Sequence, residues 1–228
     1  MKPWIKTTNG DSTIETKVFR RLARKTDEFE GYSHGHAERI AALVDELGRV
    51  FNLASKDRQS LRAAALLHDL GEASMQREYI KRTSFLTVEE RLDLARHPII
   101  GEQEAARSGG NRATQLIVRW HHEWWSGGGY PDALRREEIP LAARILRAAD
   151  SYASLTDARP FRPALSEDEA RAHMAQGAGI EFDPRVVKAL LSLSGIRELT
   201  SFTESQSEPG RRGAQAENEW NMFSGFSR

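Results

Sequence analysis

Apolar positions recur at helical spacing along most of the chain, and no run alternates apolar with polar as a half-buried strand would. "STIE" (Ser12 to Glu15) reads as a capping box, and Ile14, Val18 and Leu22 follow at helical spacing. After "GYS" a second helix sets His36, Ile40, Leu43, Val44, Leu47 and Phe51 near one face. A third spaces Leu61, Ala64, Ala65 and His68 at i, i+3, i+4 and i+7, with Gly71 placed to close it. "TVEE" (Thr87 to Glu90) is another capping box. Its helix must stop before Pro98, which suits the first turn of the next. "NRATQLIVRWHH" predicts a helix that runs into a glycine loop, and Pro140 opens one through Ile145, Ala148 and Tyr152. "SEDE" (Ser166 to Glu169) and "FDP" (Phe182 to Pro184) start two more.

The pattern predicts an all-α fold: one helical domain over residues 13–199, preceded by a flexible N-terminus, residues 1–12. Residues 200–228 are polar and lack a helical stripe, so they read as a disordered tail, although Trp220, Met222, Phe223 and Phe226 offer something to dock. No internal repeat is visible.

Charge and composition narrow the function. Among 228 residues, 33 bases balance 33 acids, so no net field draws the chain to DNA, RNA or lipid. Cysteine is absent, which excludes disulfides and thiolate metal sites; any ion must sit on nitrogen and oxygen. No stretch approaches the roughly 20 apolar residues of a membrane span, and the first residues lack a signal-peptide core. A cytoplasmic protein is expected.

The seven histidines carry the remaining information. His36 and His68 fall on apolar helix faces, where a lone histidine is usually a hydrogen-bonded core residue. Asp69 changes that reading, because a carboxylate at the inner end of a helix is costly to bury without a cation or a donor. His97 before Pro98, the His121–His122 pair before the glycines, and Asp150 add further candidate ligands. Neighbouring helical residues point about 100° apart, so the histidine pair serves either two neighbouring ions or one ion from a distorted helix end.

The blocks "HAERI", "AALLHDLGE", "KRTSFLTVEERLDLARHPIIGE", "HHEWWSGGGYPDAL", "IPLAARILRAADSYASLT" and "ARPFR" stand in an order that resembles the HD-GYP family of the HD superfamily of metal-dependent phosphohydrolases. That family comprises cyclic di-GMP phosphodiesterases. The resemblance implies two divalent transition-metal ions, iron or manganese first and nickel or zinc next, as suits imidazole and carboxylate ligands. It assigns His36, His68, Asp69 and Asp150 to one ion, with Asp69 bridging to a second held by His97, His121 and His122. Two such ions about 3.5–4 Å apart activate water for in-line attack at phosphorus. Tyr130 in "GGGYP" is placed on the substrate wall, and Arg159 and Arg162 in "ARPFR" on a phosphate.

This sequence departs from the family pattern at four positions. Glu72 replaces the lysine of "HDIGK", Ala153 replaces the second aspartate of "DxxDALT", and Ser126 replaces the acid of "WDG". Tyr32 stands where some members place a glutamate for a third metal. Two ions are therefore expected, with hydrolysis of a cyclic dinucleotide mainly to linear pGpG. Asp69 and Glu72 are the catalytic candidates, Glu72 as a proton donor if burial raises its pKa. Glu72 and Ala153 keep two alternatives open: a phosphohydrolase of another nucleotide or phosphomonoester, and a metal-bound but catalytically weak binding module. A regulatory protein partner or a homodimer is compatible with any of these.

Overall fold

The computed structural model describes residues 9–32, 35–82, 85–158 and 163–193, with side chains from Thr16 onward. Among these residues the α-helices are α1 (Asn9–Glu30), α2 (His36–Val50), α3 (Ser55–Leu67), α4 (Leu70–Met75), α5 (Val88–Leu94), α6 (His97–Arg107), α7 (Arg112–Trp120), α8 (Leu141–Thr156), α9 (Glu167–Gly177) and α10 (Pro184–Ser192). Among the described residues, the only extended pairing is an isolated bridge between Ala178 and Phe182. The fold is all-α, as the periodicity requires.

Helix α8 is the axis of the bundle. Ile145, Leu146, Ala148, Ala149, Tyr152, Ala153 and Leu155 are all buried, so the helix is apolar nearly all round and must be enclosed. Helices α2, α3, α7, α9 and α10 pack around it. Ile40, Leu43, Val44 and Leu47 of α2 meet Leu61, Ala64 and Ala65 of α3 in one continuous core. Two charged residues of α8, Arg147 and Asp150, are carried into that interior, where each needs a partner.

Helix boundaries follow the predicted caps in most places. Thr87–Glu90 and Ser166–Glu169 form reciprocal capping boxes. Pro98 lies in the first turn of α6, and the Asp183 side chain caps α10. Two expectations are corrected. Helix α1 already runs from Asn9, so Ser12 lies inside it and is not its cap. Gly71 does not close the third helix; the chain kinks at His68–Asp69 and resumes as α4, with Gly71 in its first turn. A Cβ at Gly71 would collide with the carbonyl of His97 and sit 2.8 Å from the amide of Gly101. Gly71 is needed for the close crossing of α4 and α6.

Candidate metal centre

The kink between α3 and α4 turns His68 and Asp69 inward together. The first residues of α2 and α6 supply His36 and His97, the end of α7 supplies His121 and His122, and the middle of α8 supplies Asp150. These seven residues, far apart in sequence, gather into two adjoining groups. His36, His68 and Asp150 form one; Asp69, His97, His121 and His122 form the other, and within each group one ligand atom per residue lies within 4.8 Å of the rest. Asp69 stands between them. Its Oδ2 is 2.9 Å from His68 Nε2, while its Oδ1 is 3.4 Å from His97 Nε2 and 3.5 Å from His121 Nε2. Asp150 Oδ1 lies 3.6 Å from Nε2 of both His36 and His68.

Tautomers follow from the outer hydrogen bonds. His68 Nδ1 donates to the carbonyl of Ala65 at 3.0 Å, His97 Nδ1 to Leu94 at 2.9 Å and His121 Nδ1 to Val118 at 2.6 Å. A carbonyl only accepts, so each Nδ1 bears a proton, and in the neutral ring each Nε2 turns a lone pair inward. His36 Nδ1 donates to Asp157 Oδ2 at 2.7 Å, and Asp157 is held in turn by Arg39. Such carboxylate and carbonyl partners orient a ligating imidazole and raise its basicity. Buried His36 Nε2, His68 Nε2 and Asp69 Oδ1 have no hydrogen-bond partner. Inward lone pairs left unsatisfied beside buried carboxylates are what a bound cation would satisfy, so the donor set fits two ions.

The electrostatics divide the two groups. At His36 burial opposes protonation, but the carboxylates of Asp150 and Asp157 outweigh it and raise the pKa. At His68 Asp69 and Asp150 likewise overcome burial, and the rise is larger. At His97 burial, with His121 alongside, outweighs the opposing pull of Asp69 and lowers the pKa to about 4. His122 is pushed well down by burial and then by His121, His97 and Arg147. Asp69 and Asp150 resist burial and stay ionised far below the usual range because the histidines surround them.

Glu72 lies at the edge of the second group, its Oε1 3.8 Å from His97 Nδ1. Burial and then the charge of Asp69 raise its carboxyl well above the ordinary value. Tyr130 stacks on His122 with centroids 4.9 Å apart, and burial keeps its phenol protonated. The glycine loop reaches this position because Glu123, itself buried, accepts from the amides of Asp132 (2.6 Å) and Leu134 (3.0 Å). The amides of Trp125 and Ser126 bond to the carbonyls of Glu181 and Ile180. A Cβ at Gly129 would strike the backbone of His122 and Trp124. Arg159 and Arg162 lie outside the described residues.

Sequence reasoning missed Asp157, Arg39, Arg147 and Glu181. Arg147 stands one turn before Asp150 on the same helix, and that i, i+3 spacing was the available signal. Nothing in the local pattern marks Asp157 or Glu181, which come to the site through the fold.

An all-helical scaffold with two adjoining histidine–carboxylate groups has the architecture of a metal-dependent hydrolase. The chain belongs to the HD domain family, whose model matches residues 17–186. The HD-GYP resemblance is borne out by its relatives. It is 36% identical over 180 residues to the cyclic di-GMP phosphodiesterase response regulator RpfG of Xanthomonas campestris, covering 78% of this chain and 47% of that protein. To the 3'3'-cGAMP-specific phosphodiesterase 3 of Vibrio cholerae it is 32% identical over 173 residues, covering 76% of this chain and 38% of that one. The solved structure of a Vibrio cholerae cyclic GMP-AMP specific phosphodiesterase has the same fold, with a TM-score of 0.62, 17% identity and coverage of 81% of this chain and 50% of that one. The chain thus spans half or less of the length of these relatives. Among the described residues, no helix is long and apolar enough to cross a membrane.

Proposed function

We propose that the chain is a two-ion phosphodiesterase that hydrolyses cyclic di-GMP or a closely related cyclic dinucleotide, mainly to the linear dinucleotide. The observation that carries this is the placing of Asp69: one carboxylate faces histidine Nε2 atoms of both groups. His36, His68, Asp69 and Asp150 would hold one ion; Asp69, His97, His121 and His122 would hold the other. Iron or manganese suits this imidazole and carboxylate set best, with nickel or zinc next. When bound, the ions supply Lewis acidity, lowering the pKa of water and neutralising charge that builds on the phosphoryl oxygens.

The chain's own residues do the rest. Asp157 and three backbone carbonyls fix the tautomers of His36, His68, His97 and His121, so that none of these four rings must reorient when an ion or a substrate arrives. Tyr130, protonated and stacked on His122, offers an aromatic face and a hydroxyl donor at the wall. Glu72, whose carboxyl retains its proton to higher pH, is the donor for the leaving oxygen. Arg159 and Arg162 are assigned to the substrate phosphates on the HD-GYP resemblance. The helical domain is assigned to residues 13–199 on the sequence pattern, although α1 already begins at Asn9, and residues 200–228, read there as a tail, lie outside the described residues. To test the function, the chain purified with its native metal is assayed against cyclic di-GMP and 3'3'-cGAMP and its products are separated. No hydrolysis of either by protein carrying two ions would reject the reading.

A further inference from the structure

Arg147 is buried on α8 and reaches ligands of both groups: Nη1 is 3.2 Å from His122 Nδ1 and 4.0 Å from Asp150 Oδ2. Its other terminal nitrogen, Nη2, is paired with Glu181, and the guanidinium lies 5.8 Å over the ring of Phe182. The contact with His122 differs from those of the other four histidines at the centre. Their Nδ1 atoms face acceptors, whereas this one faces a group that can only donate. The Nδ1 of His122 is therefore a lone pair shared with Arg147, and a neutral ring carries its proton on Nε2.

That hydrogen bond is incompatible with His122 acting as a ligand. If an ion takes Nδ1, the lone pair is spent. If an ion takes Nε2, the ring proton must move to Nδ1, where it meets the Nη1–H head on. Either way Nη1 loses its acceptor when the second group binds its ion, while Glu181 and Phe182 hold the guanidinium in place. Asp150 Oδ2, 4.0 Å from Nη1, is beyond hydrogen-bond reach, and a buried charged donor without a hydrogen-bond acceptor calls for an anionic oxygen.

We infer that Arg147 is a substrate-binding residue: its Nη1, freed from His122, grips a non-bridging phosphoryl oxygen of the phosphodiester. The pairing with Glu181 fixes the direction of the fork, and the guanidinium geometry matches a phosphate edge. Arg147 also brings a cation to a site where Glu72 stands in place of the family's lysine. The inference rests on the two-ion reading above but not on the identity of the nucleotide.

The test uses the full chain with its ion content verified, as wild type, Arg147→Met and Arg147→Lys. Three probes are applied: inorganic phosphate by calorimetry, and cyclic di-GMP and bis(p-nitrophenyl) phosphate as substrates. Arg147→Met is expected to keep two ions, to weaken phosphate affinity at least tenfold and to raise KM for each hydrolysed substrate by a similar factor, with a smaller change in kcat. Arg147→Lys keeps the charge and the Glu181 partner but loses the fork, so it should fall between the two. It also reads the same quantity should the methionine variant not fold. Unchanged phosphate affinity and KM with both ions retained would overturn the inference. So would loss of one ion, which would make Arg147 a positioning residue for His122. If wild type ignores cyclic di-GMP while phosphate affinity still depends on Arg147, the nucleotide assignment fails and this inference stands.

Discussion

The ring of Tyr32 lies flat on the ring of His36, with centroids 3.8 Å apart and planes 8° from parallel. Its hydroxyl hydrogen-bonds Ser154 on α8 at 3.2 Å. An aromatic ring thus covers the flank of the first histidine, at the position where the HD-GYP resemblance would place a glutamate for a third ion. With two ions there are fewer ways to hold the linear dinucleotide for a second cut. Time-resolved chromatography of the cyclic di-GMP reaction should show pGpG accumulating and GMP forming slowly. Complete conversion to GMP with no pGpG build-up would count against a two-ion centre.

Loading should depend on individual ligands in a graded way. Elemental analysis of the reconstituted wild type should give about two transition-metal ions per chain. His36→Ala should cost only the ion of the first group, because His36 contacts no member of the second. Asp69→Ala should cost both, since both groups use its carboxylate. Equal losses from the two variants would mean that Asp69 is not shared.

The two groups should also fill at different pH. Protons compete with ions for imidazole, and the raised pKa values of His36 and His68 make that competition strong in the first group. Its affinity should fall as pH drops through those raised values. In the second group His97 stays neutral until about pH 4 and His122 is lowered too, so proton competition there begins far lower. Metal content followed from pH 8 to pH 5 should therefore fall from two ions toward one, with the His97 group retaining its ion longer. A single transition that empties both together would contradict the asymmetry between the two groups.

Much of this was legible in the chain itself, for identifiable reasons. Capping boxes at Thr87 and Ser166 and prolines at the starts of α6 and α10 are local signals, decided within one turn. The seven candidate ligands were legible because their residue types are rare on buried helix faces and their order resembles that of a known family. The kink at His68–Asp69 was not legible. Gly71 looked like a helix stop, and only the tight crossing of α4 on α6 explains why glycine is there. Asp157 and Glu181 are ordinary acids in sequence and gain meaning only through His36 and Arg147, more than thirty residues away from each.

Gly71 yields a stability prediction. Backbone atoms of His97 and Gly101 occupy the space a methyl group would need, and backbone cannot step aside as a flexible side chain can. Gly71→Ala should destabilise the protein by about 2–3 kcal/mol, the upper end of typical overpacking costs, as read from the urea midpoint at constant m. Because the helices forced apart carry Asp69 and His97, the variant should also bind the second ion more weakly. A wild-type midpoint would show that the α4–α6 crossing is looser than it stands.

Glu72 offers the most discriminating substitution. Its carboxyl lies at the edge of the second group, 3.8 Å from His97 Nδ1, and the charges of Asp69 and Asp150 are near enough to act on it. Burial and Asp69 raise its pKa, which favours the protonated form, and that form can donate to a leaving oxygen and does not repel a phosphate. Only the acid is useful, so turnover should decline as pH rises through the raised pKa, and Glu72→Gln should lose that alkaline limb. Glu72→Lys places a cation near the substrate, which should tighten binding by about 1–3 kcal/mol, or roughly 5- to 150-fold. Without the carboxylic acid, kcat should fall by about 10²-fold in both variants. If the lysine variant binds tightly and turns over as fast as wild type, Glu72 is a brake on affinity and the proton must come from elsewhere. If neither binding nor rate moves, the carboxyl has no part in the reaction, and the proton donor must be sought among other groups such as Tyr130.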